Sequence, residues 1–69
     1  MKRNKLIEYL VINGCVFDRE GSNHTIYFNP TANKLSAIPK HNEIDDNLCN
    51  EICKQLGVKK IKQHRSIII

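Results

Sequence analysis

Two tight turns fix the middle of this chain. Gly21-Ser22-Asn23 and the four residues from Pro30 to Asn33 separate three short runs rich in β-formers, "CVFDRE" at 15–20, "HTIYFN" at 24–29 and "KLSAIP" at 34–39. A crossover between parallel strands needs a dozen or more residues, so links of three and four residues force an antiparallel meander. Pro39 removes a ladder donor and ends the third run.

A three-stranded meander cannot bury a face by itself, and the flanking segments supply the cover. Leu6, Ile7, Leu10 and Val11 recur at i, i+1, i+4 and i+5 and predict an amphipathic helix over about residues 4–13. Asn4 is the expected N-cap and Gly14 the left-handed residue that stops it. A second helix is predicted after Asp45 or Asp46, either of which offers a cap and a negative charge for the positive dipole end. Leu48, Ile52 and Leu56 repeat every four residues, and Gly57 closes the segment. The element order is therefore α-β-β-β-α, an α+β fold with two helices on one face of a three-stranded antiparallel sheet. That is the layout of double-stranded RNA-binding-type domains. With 69 residues there is room for one core. The domain is assigned to 1–58, with a basic, Ile-ended extension at 59–69.

The basic start and apolar stretch of "MKRNKLIEYLVINGC" faintly resemble a lipoprotein signal, but Glu8 interrupts the run and the apolar spacing is helical, so the segment is read as structure. Nothing approaches the roughly 20 consecutive apolar residues of a membrane span. Cys15, Cys49 and Cys53 are an odd, sparse set, unlike a secreted disulfide scaffold. Cys49 and Cys53 could face a metal together, but a structural zinc site needs about four ligands. They are read as reduced thiols of a cytoplasmic protein. Cys53 is expected to pack as a small apolar residue, and Cys49 to lie at the edge of the buried stripe.

Eleven Lys and Arg against seven Asp and Glu give a net charge of +4, which suits contact with nucleic acid or with an acidic protein. His24 is the residue of interest. A neutral imidazole titrating near pH 6.5 can take the proton from an RNA 2′-hydroxyl, whose oxygen then attacks the adjacent phosphorus. Such a reaction restricts the substrate to RNA. Arg19, Lys34 and Lys40 are candidate partners for the phosphate charge. Strict alternation places His24 with Ile26 and Phe28 on the expected core face, with Tyr27 opposite; Tyr27 is read first as a core aromatic and second as a platform that could stack an unpaired base. A catalytic His24 then requires the strand end, or a bulge, to free it. In the tail, Lys59, Lys60, Lys62 and Arg65 could touch phosphate, Ile67-Ile68-Ile69 could pair with a strand edge, and His64 is read as solvated.

The helix ending at Gly14, "GSNH" at 21–24, "IPKH" at 38–41 and "EIDDNLCNEICKQLGV" at 43–58 together resemble the HicA toxins, small mRNA interferases of toxin–antitoxin pairs. The resemblance covers residues 1–58. It implies a double-stranded RNA-binding-like fold, an RNA-cleaving toxin acting on mRNA, and a HicB-type antitoxin partner in a hetero-oligomeric complex. It calls for no cofactor, metal or membrane. His24 takes the place of the histidine tied to activity, Gly21 and Ser22 form the turn that presents it, and His41 closes the Pro-basic-His motif. The alternative is a non-catalytic RNA-binding module, or an inactive toxin-like protein held by its antitoxin.

Overall fold

The computed structural model describes residues 1–61. Its elements are α1 (Arg3–Ile12), β1 (Val16–Glu20), β2 (His24–Asn29), β3 (Lys34–Pro39) and α2 (Asp46–Leu56). The strands form one antiparallel sheet in the order β1-β2-β3, as the short connections require. In β2–β3, Asn33 takes the left-handed conformation (φ 57°), and the Thr31 backbone N–H donates to Asn29 Oδ1 at 3.2 Å. The Asx turn and the left-handed Asn are the local chemistry that reverses the chain here. The basic tail positions Lys62, His64, Arg65 and Ile67–Ile69 lie outside the described residues.

The second helix follows the sequence closely. The Asp45 side chain accepts from the Asn47 backbone N–H at 3.0 Å, and Gly57 closes the helix at φ 70°. Its buried stripe is Cys49, Ile52, Cys53 and Leu56, spaced i, i+3, i+4 and i+7. Leu48, expected in that stripe, is 39% exposed, and Cys49 takes its place inside rather than at the edge. The first helix begins one residue early, with Lys2 at the N-cap and no side-chain cap bond, so Asn4 lies inside it. Leu6 and Leu10 are buried, Ile7 is partly buried, and Val11 is exposed.

The core lies between the helices and one face of the sheet. Leu6 and Leu10 of α1, the α2 stripe, Cys15, Tyr27, Ile38 and Ile44 make one cluster, on which Val58 and Ile61 also pack. The Tyr9 hydroxyl donates to the Lys59 carbonyl at 2.8 Å, so the chain after α2 returns against α1. All three cysteines are buried free thiols, and desolvation pushes each one above its ordinary pKa. A raised folded pKa means the stabilising term is intact below the unfolded value of about 8.5 and is lost as pH rises through the folded value. The urea midpoint should therefore fall between about pH 8 and about pH 9.5. Iodoacetamide should label the thiols only as fast as the domain opens; prompt labelling of the folded protein would contradict this burial.

Candidate functional site around His24

The direction of β2 decides what His24 can do. Thr25, Tyr27 and Asn29 face the helices and are buried, whereas His24 is exposed and Ile26 and Phe28 are partly so. The expected faces are thus reversed. Tyr27, 9% exposed, belongs to the core, and His24, Ile26 and Phe28 share the face that neither described helix covers. The polar side chains turned inward each find a partner there. Asn29 Nδ2 donates to the Leu56 carbonyl at 2.7 Å, Ser36 Oγ to Gln55 Oε1 at 2.6 Å, and Arg3 Nη2 to Thr25 Oγ1 at 2.7 Å. A paired polar group costs little to bury, and these bonds make the reversed pattern stable.

No bulge in β2 is needed to release His24. The irregularity is in β1 between Phe17 and Arg19, where Asp18 is the extra residue. It brings Arg19 opposite Ile26, on the open face with His24. Phe17 meets the edge of Tyr27 with ring centroids 6.1 Å apart but stays half exposed on this outer strand.

The backbone of His24 is held from both sides. Ser22 and Asn23 form a two-residue turn, across which the Gly21 N–H donates to the His24 carbonyl at 2.7 Å. A Cβ on Gly21 would stand 3.1 Å from that carbonyl oxygen, so close approach, not a left-handed φ, favours glycine here. On the other side His24 pairs with Pro39, and the Lys40 N–H donates to the Asn23 carbonyl at 3.3 Å.

A polar network that no sequence motif announced backs this end of the sheet. Arg3 Nε donates to the Pro39 carbonyl at 3.0 Å, while its Nη2 reaches Thr25, the residue after His24. Thr25 Oγ1 in turn donates to Glu20 Oε2 at 3.3 Å, and Lys40 Nζ stands 2.7 Å from the same carboxylate oxygen. The hydrogen bond from Lys40 holds the Glu20 carboxyl below the usual carboxylate range. Arg3 also lines a polar cavity of about 220 Å³ with Lys2, Asn4 and Asn42. The strand-like bridge between Lys2 and Glu43, and the bond from Arg3 N–H to the Asn42 carbonyl, tie the His41 loop to the start of α1.

The structure thus gathers Gly21, Ser22, Arg19, Lys40 and His41 near the His24 end of the sheet. His41 is exposed, two residues beyond Pro39. Lys34 is not among them. It pairs with Asn29 at the opposite end of β2, about 17 Å away at the usual rise per strand residue. The two nearer cations have carboxylate neighbours, Arg19 with Asp18 at 2.6 Å and Lys40 with Glu20. Among the described residues, no three His, Cys, Asp or Glu side chains cluster to hold a metal ion, and no helix is long and apolar enough to cross a membrane.

Compared with known proteins, residues 3–58 match a family model described as the HicA toxin of bacterial toxin–antitoxin systems. No curated protein and no solved structure matches the chain.

Proposed function

This chain belongs to the HicA toxin family, and on that premise we propose that it is an endoribonuclease that cuts mRNA with His24 as general base. Membership makes it the toxin of a toxin–antitoxin pair. The observation that carries the catalytic reading is the position of His24: an exposed imidazole on the open face of the sheet, with its backbone held by Gly21 and Pro39.

In the proposed reaction the neutral His24 ring accepts the 2′-hydroxyl proton. The 2′-oxygen bonds to the adjacent phosphorus and the phosphorus–O5′ bond breaks. The products are a 2′,3′-cyclic phosphate and a 5′-hydroxyl, whose oxygen takes a proton from His41 or from water. Arg19 and Lys40 are the proposed cations for the phosphate. Each must exchange a carboxylate for it, and exposed pairs of this kind are worth only about 0–1 kcal/mol, so the exchange costs little. Cleavage of cellular mRNA would halt translation and arrest growth.

The test is labelled RNA incubated with purified protein in EDTA, beside the same strand carrying a single 2′-deoxynucleotide at the cut position. Cleavage of the first and not the second is expected. Intact RNA with only a shift in mobility would overturn the nuclease reading in favour of a binding module.

A further inference from the structure

One side chain ties the ends of β2 and β3 together beside His24, and the proposed reaction gives it no part. The ladder between these strands is weak where His24 leaves it. The Lys40 N–H reaches the Asn23 carbonyl only at 3.3 Å, which marks Asn23 and Lys40 as the bonded pair. Alternation then leaves His24 and Pro39 facing each other without a bond between them, and Pro39 has no N–H to give. Arg3 closes this gap. Its Nε donates to the Pro39 carbonyl at 3.0 Å and its Nη2 to Thr25 Oγ1 at 2.7 Å, so one guanidinium spans the ends of both strands. Its backbone N–H donates to the Asn42 carbonyl at 2.9 Å, beside His41. Thr25 Oγ1 extends the link to Glu20 at the end of β1, and Glu20 to Lys40.

We propose that Arg3 is a positioning residue of the site: its planar fork, acting through Thr25 and Pro39, fixes the direction in which His24 presents its imidazole to RNA. The inference rests on the reading of His24 as the reactive group. Its mechanical basis is the alternation of a strand. Thr25 is 4% exposed and faces the helices while His24 faces the open side, so pinning one side chain sets the aim of the next. Thr25 is β-branched and stiff at χ1, which carries a restraint on its hydroxyl to the backbone with little slack. Arginine suits the task because its donors are held in a rigid fork, whereas a lysine ammonium is a point charge on a flexible stem. The Thr25 bond lies behind the imidazole, so Arg3 acts on His24 through the backbone. Reacting groups displaced by about 1 Å lose on the order of a hundredfold in rate, so a slack strand end is costly.

The experiment follows RNA cleavage by Arg3→Lys, Thr25→Val and Thr25→Ser at a temperature where circular dichroism shows each to be folded. Arg3→Lys keeps the charge and loses the fork. Thr25→Val keeps the shape and loses the hydroxyl, which Thr25→Ser keeps. The first two should lose about tenfold or more in kcat with KM within about twofold of the parent, and Thr25→Ser should stay within about threefold of it. Amide spectra recorded without RNA should show the His24 and Thr25 signals of Arg3→Lys shifted or broadened, while those of Ile52 and Leu56 in the core keep their places. Parent kcat in folded Arg3→Lys and Thr25→Val would overturn the proposal, as would unmoved His24 signals or an equal loss in Thr25→Ser. A loss confined to KM would make Arg3 an RNA contact and overturn it too. Should Arg3→Lys not fold, the two Thr25 variants decide. His24→Ala is run beside them to separate the two readings. If it cuts at the parent's rate, the catalytic reading falls and takes the proposal with it; if it is inactive while the Arg3 and Thr25 variants cut normally, the proposal falls alone.

Discussion

His24→Ala should abolish RNA cleavage and relieve growth arrest while leaving the domain folded. Loss of a positioned general base costs about 10²–10⁴-fold in rate, which would take a slow nuclease below detection. The fold should not notice, because the His24 side chain is exposed and surface changes away from special features alter stability by only about 0.5 kcal/mol or less. The bond from the Gly21 N–H to the His24 carbonyl and the ladder pairing of His24 with Pro39 involve no side-chain atom and survive the change. The measurements are the cleavage rate on labelled RNA, growth after induction, and the thermal midpoint. A variant that cuts at the parent's rate removes His24 from the reaction. One that loses activity together with its thermal transition has lost the fold, and His24→Gln, which keeps a polar side chain without the imidazole base, then separates structure from chemistry.

Much of the architecture is legible in the sequence because its punctuation is local. Turns too short for a crossover dictate the meander, and the Asp45 cap and Gly57 stop bound α2 as expected. The face of β2 is legible only in part. His24, Ile26 and Phe28 do share a side, but bulk and hydrophobicity assign that side to the core, whereas the core receives Thr25, Tyr27 and Asn29. What reverses the assignment is long-range: the Leu56 carbonyl, Gln55 and Arg3 lie 27, 19 and 22 residues from the polar groups they satisfy. Periodicity cannot register such partners. The same limit hides Arg3, whose role comes from the meeting of α1 with the ends of β2 and β3. It also makes Lys34 look close to the site, when a strand's length separates it from His24. The reversal matters for function: it removes the need for a bulge to free His24, and it leaves an apolar face next to that residue.

Ile52→Ala should unfold much of the isolated protein at physiological temperature. Ile52 is buried at the centre of the α2 stripe, and truncating such a residue typically costs about 2–5 kcal/mol. At roughly 0.05–0.15 kcal/mol per residue, a domain of 69 residues has a total stability of about 3–10 kcal/mol. The substitution therefore takes a large share of it, where Leu35→Ala on the open sheet face should take almost none. Urea denaturation checks both, with a lower midpoint and unchanged slope expected for Ile52→Ala. The antitoxin should offset the loss by mass action, since a partner at 100 times its dissociation constant adds about 2.7 kcal/mol to the folded state. Cells expressing the pair should consequently retain Ile52→Ala toxin, while cells expressing the toxin alone should degrade it. On this expectation the destabilised toxin would persist only with its partner, and a midpoint for Ile52→Ala within experimental error of the parent's would remove the basis of that dependence.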